Sequence, residues 1–418
     1  MSRRFTAISA AALSAALLLS AVPAQAARKS TVDITNPMPA TAIEKLIARE
    51  GSKFISESSG VVVADGKTGE YLHTKNPLRG FMPASIMKVV TATVALETMG
   101  PKFRFTTSVK WDAATKTIFL VGGGDPLLRS SQLRDLASKT AAAISAGSDK
   151  LSLKVDGSRF GPFTLPPGWA KSQVPFEVRP VSALVVDDRL TKNPAQTAGD
   201  IFARYLRSAG LKVSFKGPAK ASGDQVAKVT SYALPASIRR MLHESNNNIA
   251  EMLFRNSAVA DGGAGTWEGA RAHAFETMQA LGVKMDNIKL VDGSGLSRAN
   301  RLNAKALVTL LSAALDPSHP ELTPLATADL LPEAGAEGTL IARFRYGRTA
   351  CAKGLVEAKT GSLRDVISLA GYAKNQDGGL AVFSIVVNKI PRRSMETSVR
   401  GAIDWMVTAL VGCTSPQA

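Results

Sequence analysis

A serine and a lysine three residues apart, in "ASIMKV", are spaced to act as a nucleophile and its base. On a helix, Ser85 and Lys88 project from one face about one turn apart. A hydroxyl in the first turn lies near free backbone N–H groups, which favour the negative charge that forms when it attacks a carbonyl. The pattern S-x-x-K is common by chance, but Ser85 to Lys88 is its only occurrence in this chain of 418 residues. To accept a proton near pH 7, Lys88 must lose its charge roughly three pH units below the ordinary lysine value, which corresponds to about 4–5 kcal/mol. Apolar burial supplies part of that, and a second ammonium nearby supplies more. The competing reading is a solvated helix lysine beside a serine cap.

A second ammonium is available in "GLVEAKTGSL". If that strand-like stretch flanks the helix start, Lys359 raises the electrostatic cost of charging Lys88 and attracts an anionic substrate group. The tripeptide KTG also occurs at Lys67-Thr68-Gly69, in "VVVADGKTGEYLHT". There it falls between two strand patterns joined by an Asp65-Gly66 turn, which predicts a hairpin tip without chemistry. It is not a phosphate loop either, because Val61 stands where the first glycine is required and the context is strand-turn-strand. "GGGDP" lacks a following GK[ST], and Pro126 favours a turn there. In "ESNNNIAE", Ser245 and Asn247 form the chain's only S-x-N. A second hydroxyl passes protons between base and leaving group, and an amide orients substrate and lysine. Taken alone, the cluster reads more readily as a helix cap.

These groups must be positioned by several elements. "MPASIMKVVTATVALETMG" predicts a helix, with Pro83 near its start and Gly100 after its end. "TAIEKLIAR" has helical spacing, and the stretch after it reads as a hairpin. From about 101 to 231 the texture changes to alternating strands in "RFTTSVKWD", "KTIFLVGGGDP" and "DKLSLKVDG", a helix in "SSQLRDLASKTAAAISAG", and many Pro and Gly breaks. That predicts one compact inserted domain. Helices follow in "ASIRRMLHESNNNIAEMLFRNSAV", "GARAHAFETMQALG" and "NAKALVTLLSAAL". Three strands, "GLVEAKTG", "VISLAGYAK" and "LAVFSIVVN", and a helix around "SVRGAIDWMVTALV" close the chain. Strands at both ends with helices between predict one sheet closed by the two termini, in an α/β layer architecture.

The opening "MSRRFTAISAAALSAALLLSAVPAQA" has two arginines, a short apolar run and a small-x-small ending, which predicts an export signal over residues 1–26. Its removal takes Arg3 and Arg4 and no acid, so 49 basic against 34 acidic residues leave a mature charge of +15. That balance suits work near anionic envelope polymers or lipid head groups. Basic residues are scattered and aromatics few, which speaks against nucleic-acid binding, and no later apolar run is long enough for a membrane span. Cys351 and Cys413 form a disulfide in an oxidising compartment or remain two buried thiols; their spacing does not choose. The four histidines lie far apart, with neither H-E-x-x-H nor C-x-x-C, so no metal site or cofactor is expected.

Together, "SIMK", "SNN" and "KTGS", in that order, resemble the set used by penicillin-binding proteins and serine β-lactamases. The chain looks in particular like the S13 D-alanyl-D-alanine carboxypeptidases of the penicillin-binding protein 4 type. "VGGGDPLL", "VDGSRF", "DGSGLSRANRL" and "LPEAGAEGTL" extend the resemblance over nearly the whole mature chain. It implies an antiparallel sheet flanked by helices, with a catalytic domain of residues 27–100 and 232–418 and an inserted domain of 101–231. It further implies Ser85 as acyl-enzyme nucleophile, Lys88 as proton acceptor, Ser245 as proton relay and Asn247 as a positioning group. Lys359, Thr360, Gly361 and Ser362 would bind substrate, with the Ser85 and Ser362 N–H groups as oxyanion hole. The implied partners are peptidoglycan peptides and, as covalent inhibitors, β-lactams, in a periplasm or cell-wall space. A β-lactamase or a non-catalytic wall-binding protein on the same fold are the rival expectations.

Overall fold

The structure, a computed structural model, describes residues 58–144, 149–376, 378–391 and 396–413. The expected signal over 1–26 and the "TAIEKLIAR" helix lie outside the described residues.

Strands β1 (Ser59–Asp65) and β2 (Tyr71–Lys75) form the expected hairpin. Asp65 Oδ1 accepts from the amides of Lys67 and Thr68 at 2.8 and 2.7 Å, so the first KTG tripeptide is committed to the turn. A 3₁₀ turn over Ala84–Ile86 leads into α1 (Met87–Met99). Next come β3 (Thr106–Asp112), β4 (Thr117–Val121), α2 (Ser130–Ala143), β5 (Lys150–Asp156), α3 (Pro194–Ser208), β6 (Lys212–Pro218) and β7 (Asp224–Thr230). Helices α4 (Leu234–Glu244), α5 (Asn247–Ala260), α6 (Trp267–Ala280) and α7 (Ala304–Ala313) follow. Strands β8 (Val356–Leu363), β9 (Val366–Lys374) and β10 (Leu380–Val387) and helix α8 (Glu396–Leu410) complete the described chain.

The first sheet has the order β2-β1-β10-β9-β8 and is antiparallel throughout, so the N-terminal hairpin pairs with the last strand as the sequence predicts. Both faces of its three central strands, β1, β10 and β9, are buried. Val62 and Val382 pack with α1, α5 and α7 on one side, whereas Val63, Phe383 and Ile385 pack with Ile403, Met406 and Leu410 of α8 on the other. Double burial explains why these strands read as continuous apolar runs. Helix α1 is enclosed along its whole first part, with every residue from Met87 to Leu96 buried. Any polar side chain it carries is therefore desolvated.

The second sheet, in the order β6-β5-β4-β3-β7, is mixed: β4, β5 and β6 run parallel, and β3 is antiparallel to both its neighbours. Helices α2 and α3 cross over between the parallel strands and share its core. Helix α3 and strands β6 and β7 were not legible among the Pro and Gly breaks. Between β5 and α3 the chain leaves this sheet. Phe160, Trp169 and Val178 pack instead with Met252 of α5 and Trp267 of α6.

Candidate active site

Ser85 lies in the 3₁₀ turn, one turn ahead of the α-helix rather than in its first turn. Ala84, just before it, has φ 52°, a left-handed conformation that costs an ordinary residue about 1–2 kcal/mol. Its carbonyl packs against Gly295: a Cβ there would come 1.8 Å from the Ala84 oxygen, so only glycine lets the two backbones approach.

The Lys88 ammonium nitrogen stands 3.0 Å from Ser85 Oγ, 2.8 Å from Asn247 Oδ1 and 2.8 Å from the Ser294 carbonyl oxygen. Three acceptors match three ammonium hydrogens. Lys88 is fully buried, and burial brings its pKa down to about 7, while Asp292 and Glu251 pull the other way. Near neutrality the amine is thus often uncharged, and its lone pair can then receive the Ser85 proton along the 3.0 Å contact.

Strand β8 passes directly beside the serine. A Cβ on Gly361 would lie 3.1 Å from the Ser85 amide nitrogen, 2.9 Å from the Pro83 carbonyl and 2.1 Å from Ser368 Oγ, which itself donates to Pro83 O at 2.8 Å. Lys359 is fully buried and donates to the Thr360 carbonyl at 2.9 Å, while Thr360 Oγ1 donates to Thr339 Oγ1 at 2.8 Å. Burial first, then Lys88, then Arg343 hold the Lys359 ammonium well below the ordinary lysine range. Burial is the first cause for both lysines, and the expected repulsion between them works in the same direction. Beyond Ser362 a cleft of about 670 Å³ opens between Gln173, Glu177, Arg364 and the Arg298–Asp365 ion pair.

The S-x-N segment divides its labour. Ser245 ends α4 in a left-handed conformation, φ 55°, and Asn246 caps α5 by accepting from the Ile249 amide at 3.1 Å. The capping alternative is therefore met by Asn246, which leaves Asn247 to accept from Lys88. Its amide nitrogen donates to the Glu177 carbonyl at 2.9 Å.

Several contributors were missed. Ser294 acts through its backbone, so its side-chain type carried no signal. It sits in "DGSGLSRAN", whose Asp292 accepts from Gly295 N, Ser297 N, Asn300 Nδ2 and Trp169 Nε1 and so pins the loop. Glu251 lies one turn beyond Asn247 on α5, a spacing visible in "ESNNNIAE".

Cys351 and Cys413 are disulfide-bonded, with Cα atoms 6.3 Å apart. His243, Asp329 and Glu337 converge near Lys359, but Arg239 donates to both acids at 3.0 and 3.1 Å, so a guanidinium already fills the place of a cation. Among the described residues no helix is long and apolar enough to cross a membrane.

The chain is similar to known proteins over most of its length. Carboxypeptidase DacB of Mycolicibacterium smegmatis is 31% identical over 411 residues, covering 91% of this chain and 86% of the relative. A D-alanyl-D-alanine carboxypeptidase of Actinomadura sp. is 30% identical over 427 residues, covering 79% and 77%. The crystal structure of penicillin binding protein 4 from Haemophilus influenzae shares the fold, with a TM-score of 0.75 at 21% identity over 88% of this chain and 98% of that one. Residues 40–192 and 188–410 match the D-Ala-D-Ala carboxypeptidase 3 (S13) family, and the chain belongs to that family.

Proposed function

We propose that this protein is an exported serine DD-peptidase that cleaves the D-Ala-D-Ala bond of peptidoglycan stem peptides, as a carboxypeptidase and also on cross-linked dimers. The observation that carries this reading is a fully buried lysine, its pKa brought down to about 7, 3.0 Å from a serine hydroxyl at the edge of a sheet. Ser85 Oγ attacks the carbonyl carbon of the penultimate D-Ala, and its proton passes to Lys88 Nζ. Ser245 relays that proton to the departing amine. Asn247 holds Lys88, and the Ser85 and Ser362 amides receive the oxyanion. Lys359 and Thr360 bind the terminal carboxylate, with Gly361 leaving room beside Ser85. Water then hydrolyses the acyl-serine. A β-lactam presents a strained amide to the same serine and acylates it.

The site lies in a catalytic unit of residues 27–100 and 232–418, with 101–231 as an insertion whose segment around Trp169 and Val178 rests back on α5 and α6. The positive charge and the N-terminal residues support work in a periplasm or wall space. Incubation with a stem pentapeptide and with a cross-linked dimer tests the reading, products being resolved by mass. Release of D-Ala and splitting of the dimer are expected; failure of both ends the enzymatic reading. Lasting label from fluorescent penicillin on wild type and none on Ser85→Ala excludes a wall-binding protein, and rapid penicillin turnover would favour a β-lactamase.

A further inference from the structure

The Ser294 carbonyl that accepts from Lys88 follows directly on a peptide, Gly293–Ser294, that is gripped from two sides. Glu251 Oε1 accepts from the Ser294 amide at 2.8 Å and Oε2 from the Gly293 amide at 3.1 Å. From the opposite side Thr91 Oγ1 donates to the Gly293 carbonyl at 2.6 Å. Glu251 is fully buried and shares a face of α5 with Asn247, four residues earlier. One turn of α5 therefore reaches Lys88 directly through Asn247, and the next reaches it through the Gly293–Ser294 peptide.

We propose that Glu251 is a positioning residue for the Ser85–Lys88 reaction: its carboxyl fixes the Gly293–Ser294 peptide, which places the adjoining Ser294 carbonyl that accepts from Lys88, and its charge acts on Lys88 across that segment. This rests on the serine-peptidase reading. Burial first and Asp292 second push the Glu251 carboxyl up to about 8, against the pull of the Ser294 hydroxyl and the two amides, and Lys88 is brought down to about 7. Near neutrality the two groups titrate together, and the proton that leaves Lys88 is held more tightly when Glu251 is charged. Other charges face the pair from each side. Asp292 lies in the pinned loop, and Arg255 stands one turn further along α5, over the Trp267 ring at 4.0 Å with Glu268 beyond it. Lys359 lies on β8, with Arg343 beside it.

The test is the rate of Ser85 acylation by a fluorescent penicillin across the neutral pH range, in intact protein. Glu251→Gln keeps the shape, removes the charge and turns an N–H donor toward a backbone amide that needs an acceptor. Its acid limb should move down, by less than the roughly one pH unit of a full charge at this range because the Glu251 carboxyl is only partly ionised where Lys88 titrates, and its plateau should fall about tenfold. Thr91→Val loosens the same peptide without altering charge, so its plateau should fall while the limb stays in place. Absence of acylation in wild type sinks the peptidase reading itself. A wild type that acylates, beside a folded Gln variant with an unmoved limb, overturns the role of Glu251 alone. If thermal melts show that the Gln variant does not fold, Glu251→Asp decides. Its shorter carboxylate cannot span both amides, so a slower plateau is expected, and wild-type kinetics would overturn the proposal.

Discussion

Asn247 Oδ1 lies 2.8 Å from Lys88 Nζ, across 159 positions of sequence. Through its other amide atom the same side chain holds the Glu177 carbonyl at 2.9 Å. One residue thus joins the base on α1, the helix α5 and the segment between β5 and α3. Asn247→Ala should lower penicillin acylation about 10- to 100-fold, because Lys88 loses an acceptor that orients it. It should also raise amide exchange near Glu177. Unchanged acylation would show that the remaining contacts to Ser85 and Ser294 suffice to place the amine.

Lys88 gives the acylation rate a definite pH dependence. Its protonated form has no lone pair for the Ser85 proton, so the rate should be low in acid and rise with pH through about 7. Lys359 acts in the opposite sense, since its charged form is the one that attracts a carboxylate. Held well below the ordinary lysine range, it should bring down the alkaline limb for peptide substrates before that range is reached. Lys88→Met should cost about 10²- to 10⁴-fold in acylation and remove the acid limb. An acid limb near the ordinary lysine value in wild type would contradict the burial argument.

Much of this site was legible because its chemistry rests on side chains with rare spacing. Ser85 and Lys88 lie one turn apart whatever surrounds them, and the apolar run from Met87 to Leu96 announces the burial that neutralises the lysine. The sheet closed by its two termini followed from strand patterns at both ends. What stayed hidden depends on backbone and tertiary contact. The Ser294 carbonyl has no residue-type signature, and the close approach of the Ala84 carbonyl to Gly295 is a backbone contact. Nor could spacing alone choose between Asn246 and Asn247 for the cap, since adjacent asparagines offer the same amide. The packing of the 157–190 segment against α5 and α6 stayed hidden because Pro and Gly break its pattern.

Gly361 is the point of closest approach between β8 and the nucleophile turn. Alanine there would set a methyl 2.1 Å from Ser368 Oγ and 3.1 Å from the Ser85 amide. The Ser368 hydroxyl is tied to Pro83 O, so relief requires β8 or the turn to move. Gly361→Ala should lower stability by about 1–3 kcal/mol and reduce acylation at least about 10²-fold, because the displaced element carries the reacting group. Thermal melts and penicillin labelling of the same preparation measure both. Normal labelling would mean that the strand yields without moving Ser85.

The disulfide ties the turn at Cys351 to the end of α8, on the sheet face that Ile403, Met406 and Leu410 cover and α1 does not. Its partners are 62 residues apart, a loop for which chain entropy in the unfolded state gives about 4 kcal/mol of stabilisation. Replacing both cysteines by serine should therefore lower the melting temperature by roughly 5–10 °C. Acylation at room temperature should change by less than about twofold, because local changes add independently when they share no partners. Parallel melts with and without reductant on wild type should reproduce the shift. A double-serine variant that melts normally but acylates slowly would reverse this assignment and place the bridge in control of the Lys359 strand.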